Sequence, residues 1–387
     1  MNIENKLAER VKGLKQGTIR ALFDKARGME NVISMGIGEP DLETPAPICD
    51  ACAEALKKGY THYPPNAGLP MLREAVSKYG LPESGMYSPN EVIITNGAMN
   101  ALNLLMNVLV EPGDHIMIQD PQWLNYAALI QYYGGVADRV PADPEGDFAL
   151  RAETIRKHYI PGKTKALMIN TPNNPTGHVM DRQELEAIAD LAKELDLLVI
   201  SDEVYNTLIF EDAEVLSIST LPGMRERTVI VNSFSKAYAM CGWRVGFAAG
   251  PERIIDRMIK CQENSISGVN SAAQYAAAFA LEHKELTVGL RETFRERRAL
   301  AIAELKKIPG MKFTEPKGAF YLFPDITAFG MDSKTFCERL LYEAGVVCIP
   351  GSAFGNVGEG HIRIAYTATK EDIIEAMRRI REFCAKL

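Results

Sequence analysis

Between residues 90 and 250 the hydrophobic positions fall into two alternating patterns. Short continuous apolar runs recur: Val92-Ile-Ile-Thr95, His115-Ile-Met-Ile-Gln119, Ala166-Leu-Met-Ile-Asn170, Leu197-Leu-Val-Ile-Ser201, Thr228-Val-Ile-Val-Asn232 and Val245-Gly-Phe-Ala-Ala249. Runs of this length without polar alternation are expected of strands covered on both faces. Between them apolar residues return at helical spacing. Leu102, Leu105, Met106 and Leu109 predict a helix over 98–110, and a second helix is expected over 181–195. This strand–helix rhythm predicts an α/β fold: a large domain, 45–284, with a mostly parallel central sheet between helices.

The pattern changes after about residue 285. Residues 291–307 read as a charged amphipathic helix. Phe320-Tyr-Leu-Phe323, Val346-Val-Cys-Ile349 and His361-Ile-Arg-Ile364 read as short strands, and 371–387 as a closing helix. A smaller α+β domain, 285–387, is expected, with the N-terminal segment 1–44 packing on it as an arm.

Composition narrows the function classes. The chain has 387 residues, 47% hydrophobic and 24% charged, as in an ordinary globular protein. A net charge of −7 gives no footprint for nucleic acid. No apolar run reaches the roughly 18–20 residues that span a bilayer, so no membrane partner is expected. Met1 to Lys15 is polar and mixed in charge, unlike a secretory or transit segment, and a cytoplasmic location is expected. The seven cysteines are irregularly spaced. Cys49 and Cys52 fall on one helix face with no His nearby, which reads as half-buried thiols and not as a metal site.

Several nucleotide patterns fail. Gly162-Lys163-Thr164 lacks the earlier glycine of a phosphate loop, and Gly36-Ile37-Gly38 lacks the third glycine of a dinucleotide fingerprint. The Gly-rich run 351–360 has no strand-to-helix crossover around it, and Gly-x-Ser-x-Gly is absent.

The ends of the predicted strands carry the chemistry. Lys236 follows the run ending at Asn232, within Ser233-Phe-Ser-Lys236, at the carboxyl edge of a sheet where α/β folds place their sites. Desolvation and a nearby cation there lower an amine pKa and suit it to Schiff-base chemistry. Ser233 and Arg244 supply a hydroxyl and a planar cation suited to phosphate. On spacing alone Lys236 reads equally as a solvated loop lysine, Asp202 as a helix cap and Asn174 as a turn residue. Together, Asp202, Tyr205, Asn174, Lys236 and the helix start at Asn96-Gly97-Ala98-Met99 put a carboxylate, a phenol, an amide, an amine and an anion nest at consecutive strand ends.

The stretch Ser-x-Ser-Lys-x(7)-Arg-x-Gly over 233–246 resembles the lysine signature of the class I/II aminotransferases, pyridoxal-phosphate enzymes of fold type I. The resemblance extends along the chain: Gly36-Ile-Gly-Glu-Pro-Asp41, Tyr60-Thr-His-Tyr63 with Gly68-Leu69, Asn174-Pro-Thr-Gly177, Ser201-Asp-Glu-Val-Tyr205, Pro316-Lys-Gly-Ala-Phe-Tyr321 and Arg363. It implies pyridoxal 5′-phosphate as cofactor, held covalently by Lys236, which also shuttles the proton. Asp202 would pair with the ring nitrogen, Tyr205 and Asn174 with the ring oxygen, and Trp123 would stack on the ring. The amides of Gly97, Ala98 and Met99, with Ser233 and Arg244, would hold the phosphate. Tyr63 would reach it from the neighbouring subunit of a homodimer. Arg363, the Gly38 amide and Asn174 would take the substrate carboxylate.

The implied reaction moves the amino group of an L-amino acid to a 2-oxoacid such as 2-oxoglutarate in a ping-pong cycle. A C–S lyase of the cystathionine β-lyase type could keep the same cofactor residues and is the alternative. Dicarboxylate-specific relatives use a cation for the distal carboxylate, either a lysine at the position of Met99 or an arginine from the partner's segment after the lysine motif. That segment here, Ser265-Ile-Ser-Gly-Val-Asn-Ser-Ala-Ala-Gln274, has neither Arg nor Lys. An aromatic or large neutral donor is therefore expected.

Overall fold

In the computed structural model, residues 3–12, 22, 24–83, 85–210, 213, 214 and 216–387 are described. The apolar runs form a seven-stranded sheet in the order β2-β8-β7-β6-β5-β3-β4. Its strands are β2 (Val92–Thr95), β3 (His115–Asp120), β4 (Val136–Pro141), β5 (Thr164–Asn170), β6 (Leu198–Asp202), β7 (Thr228–Ser233) and β8 (Gly246–Ala249). β4, β3, β5, β6 and β7 run parallel, and β8 is antiparallel to both β7 and β2.

Side-chain alternation assigns the two faces. Ile116, Ile118, Met168, Ile200 and Val231 pack with Leu102 and Leu105 of helix Ala98–Leu109. Met117, Leu167, Ile169 and Val199 pack with Leu185 and Ile188 of helix Arg182–Glu194. Asp181 caps that second helix, its carboxylate accepting from the Glu184 N–H. β4 was not expected from the sequence. It is an edge strand with mostly half-exposed residues and polar Asp138 and Arg139, so it lacks the continuous apolar run of its neighbours.

The C-terminal part contains a second, antiparallel sheet ordered β11-β12-β9: β9 (Tyr321–Leu322), β11 (Ile349–Pro350) and β12 (Ile362–Ala365). The run expected as one strand over 346–349 divides at Cys348, and its first half, β10 (Val346–Val347), pairs in parallel with β1 (Ile33–Ser34). Helices Val288–Leu305 and Lys370–Cys384 cover this layer through Phe294, Leu305, Met377 and Ile380. The expected N-terminal arm, 1–44, lies partly outside the described residues; of the rest, β1 is hydrogen-bonded into this layer.

Cys49 is exposed and Cys52 half-buried, both as free thiols. Among the described residues no group of three or more His, Cys, Asp or Glu is arranged to hold a metal, and no helix is long and apolar enough to cross a membrane.

Candidate active site

The carboxyl ends of β5, β6 and β7 and the start of helix Ala98–Leu109 converge on a cavity of ≈ 760 Å³. Gly38, Ala98, Met99, Trp123, Asn174, Asp202, Tyr205, Ser233, Lys236, Arg244 and Arg363 all line it. Two of the sequence-selected residues stand apart. Gly97 flanks the cavity without lining it. Tyr63 is 91% exposed and does not line it.

Lys236 lies in the short helix Phe234–Ala237, which the Ser233 side chain caps. Its Nζ donates to the Gly38 carbonyl at 2.6 Å and stands 3.8 Å from Cys241 Sγ. The lysine is thereby aimed across the cavity and not into solvent. Asp202 ends β6 on the face of helix Ala98–Leu109 and is 3% exposed. Its Oδ2 accepts from the Tyr126 hydroxyl at 2.6 Å and its Oδ1 from the Val204 N–H at 3.2 Å. Burial raises its pKa to about 6, against those two hydrogen bonds and the nearby Lys236 charge.

Asn174 and Arg363 form a unit. Arg363 Nη1 donates to Asn174 Oδ1 at 2.8 Å and Nη2 to the Gly36 carbonyl at 2.7 Å. The guanidinium lies over the rings of Tyr321 and Phe354, 4.5 and 4.8 Å from their centroids. It is buried, and among the described residues no carboxylate pairs with it and its Nε has no partner. Burial depresses its pKa. The Tyr205 and Tyr321 hydroxyls hydrogen-bond each other at 2.9 Å, and burial lifts the Tyr205 phenol well above its ordinary range.

The anion nest differs from expectation in one respect. The Gly97 N–H donates to the Thr95 carbonyl at 2.8 Å, so it is not the free donor the sequence suggested. Gly97 matters through its shape. It adopts φ +75°, and a Cβ there would stand 2.5 Å from Arg244 Nη2. The amides of Ala98 and Met99 open the helix, and Arg244 Nη1 is held on the Cys241 carbonyl at 2.9 Å. Trp123 packs edge-to-face on Tyr126, ring centroids 5.4 Å apart.

Sequence reasoning overlooked Tyr126, Tyr321, Cys241 and Glu39, all of which line the cavity. Tyr126 reads as one more apolar residue of helix Asn125–Tyr132; its one signal is the spacing of three from Trp123. Tyr321 lies inside a quoted motif, but its role depends on β9 meeting β12.

The model of the family "Aminotransferase class I and II" matches residues 30–380. The chain belongs to the class I and II aminotransferases. An aspartate aminotransferase of Pyrococcus abyssi is 43% identical over 381 residues, 97% of each chain. Aromatic-amino-acid aminotransferase 2 of Thermococcus litoralis is 41% identical over 381 residues, again 97% of each. Among solved structures, the aromatic aminotransferase of Pyrococcus horikoshii superposes with TM-score 0.88 at 42% identity, covering 94% of this chain and 99% of that one. An aspartate aminotransferase of Thermus thermophilus with maleate gives 0.91 at 36%, covering 98% and 99%.

The protein is therefore a pyridoxal-phosphate-dependent aminotransferase of fold type I. These relatives do not support the eliminating lyase considered from sequence. The aminotransferase's cavity fits the cofactor on its own evidence. Among the described residues, a buried carboxylate in no ion pair, a nest narrowed by Gly97 and Arg244, and a buried arginine in no ion pair are the complements of a ring cation, a phosphate and a substrate carboxylate.

Proposed function

We propose that this aminotransferase moves the amino group of an aromatic or large neutral L-amino acid to a 2-oxoacid such as 2-oxoglutarate. The observation that carries the reading is that Lys236, Asp202 and Arg363 face one cavity from three separate segments. Bound there, pyridoxal phosphate supplies an electron sink for the charge that develops at the substrate Cα. Lys236 would anchor the cofactor and, once released, move the proton at Cα, with the Gly38 carbonyl, 2.6 Å from Nζ in the free chain, within reach of the released amine. Asp202 keeps the ring nitrogen protonated. Tyr205 and the Asn174 amide would hold the ring oxygen, and Trp123 would pack against the ring. Ala98 and Met99 amides, Ser233 and Arg244 hold the phosphate, with Gly97 supplying clearance. Arg363, aligned by Asn174, takes the α-carboxylate with the Gly38 amide beside it.

The exposure of Tyr63 supports a homodimer in which that phenol serves the neighbouring site. The substrate preference is supported by the apolar Ile37, Met99 and Trp123 and the acidic Glu39 in the cavity lining. Borohydride reduction of the loaded enzyme should fix the cofactor on a peptide containing Lys236. Lys236→Ala should abolish transfer yet still bind cofactor, and the protein should sediment as a dimer. A label on another lysine would refute the assignment, and an active monomer would refute the shared site.

A further inference from the structure

The opposite face of the sheet holds a second hollow, partly open to solvent. This cavity of ≈ 340 Å³ backs onto β6 and β7 and takes no part in the chemistry above. Glu203 lines it and is 4% exposed. Asp202 faces the cofactor cavity, whereas Glu203 turns to the other side. Glu203 Oε1 accepts from the hydroxyls of Ser201 and Ser217, at 2.9 and 2.5 Å. Its Oε2 has no hydrogen-bond partner among the described residues, and no Lys, Arg or His there forms an ion pair with it. Lys284 also lines the cavity but is exposed and does not reach the acid.

A second polar atom on this lining, the buried Thr207 Oγ1, has no partner among the described residues. The remaining surface is mixed: Phe234, Leu216 and Leu281 give it an apolar patch, beside Asn206, Asn232 and the exposed acid Glu214. A mostly buried carboxylate with one satisfied oxygen and one facing the hollow is costly as an unpaired anion, and burial pushes Glu203 up to about 7. The missing element is a donor carrying positive charge. Small-ligand sites have this form, an apolar hollow with few convergent polar groups.

We propose that this cavity binds a small organic ammonium ion. Its N–H donates to Glu203 Oε2, and its short apolar tail lies against Phe234, Leu216 and Leu281. Ser233 lines both cavities, and Phe234 opens the helix that carries Lys236, so the ligand would sit directly behind the cofactor lysine.

The test titrates N,N-dimethylbutylammonium into the cofactor-loaded enzyme by calorimetry. As a tertiary amine it cannot condense with the cofactor aldehyde. Saturable binding of one ion per chain is expected, undiminished by a saturating 2-oxoacid, and weakened at least about tenfold in Glu203→Gln. The uncharged butyl methyl ether should bind at least about tenfold more weakly to the unmodified enzyme, a comparison that needs no variant. Absence of saturable binding, displacement by the 2-oxoacid, equal affinity of the ether, or unchanged affinity in Glu203→Gln would each overturn the proposal.

Discussion

Asp202 is almost sealed from water, and its charge is held by the Tyr126 hydroxyl at 2.6 Å and the Val204 N–H at 3.2 Å. A hydrogen bond to a buried charge contributes about 1.5–3 kcal/mol. Tyr126→Phe should therefore lift the Asp202 pKa above its value of about 6 and move the acid limb of the kcat profile to higher pH. The loss in kcat at pH 7 should be about 2–15-fold. Asp202→Asn removes the anion itself and should lower kcat by more than Tyr126→Phe does. Stopped-flow measurement of the first half-reaction checks both, and a Tyr126→Phe profile that overlays the parent's would refute the clamp. Asp202 was legible in the sequence because it ends an apolar run. Tyr126 was not, since a phenol on an apolar helix face looks the same whether or not its hydroxyl meets an acid.

The loop from Thr171 to Met180 positions Asn174 and depends on polar ties between elements. Thr176 donates to Asn173 Oδ1 through both its N–H and its hydroxyl, and the Met180 N–H donates to Thr171 Oγ1. Buried His178 lies between Glu184 of helix Arg182–Glu194, at 2.8 Å, and Asp147, at 3.3 Å. Burial opposes its charge, but the two carboxylates prevail and raise its pKa to about 9. Because the folded value lies above the unfolded one of about 6.5, the stabilisation is complete below that pH. It fades as pH rises through 9. The contribution at pH 6 is on the order of 3 kcal/mol. Tm should fall between pH 7 and 10, and His178→Gln should lower Tm at pH 6 while flattening this dependence. A His178→Gln curve parallel to the parent's would exclude His178 as the titrating tie. The central strands were readable because both faces are covered, whereas β4 was hidden by its half-exposed, charged edge.

At the scale of the molecule, distant segments close the cavity, and this is where sequence reading is weakest. Arg363 and the Gly36 carbonyl meet across 327 positions, and Tyr205 and Tyr321 across 116. Motifs marked Arg363, but its aromatic bed and the acid Glu39 on the same wall emerge only from the fold. These neighbours bear on substrate choice. The cations lining the cavity are Lys236, Arg244 and Arg363, and the proposed mechanism uses each for the cofactor or the α-carboxylate. A distal carboxylate would meet Met99, Ile37 and Glu39, while the Ser265–Gln274 segment offers no cation from its own chain or a partner's. Desolvating that carboxylate unpaired costs roughly several kcal/mol, whereas a phenyl ring gains from the same wall. The ratio of kcat/KM for Phe to that for Asp, at fixed 2-oxoglutarate, should exceed one by at least about tenfold. Met99→Lys should narrow it by raising the value for Asp. A ratio below one in the parent would mean that the assembled enzyme brings a cation to the distal carboxylate from outside the cavity lining described above.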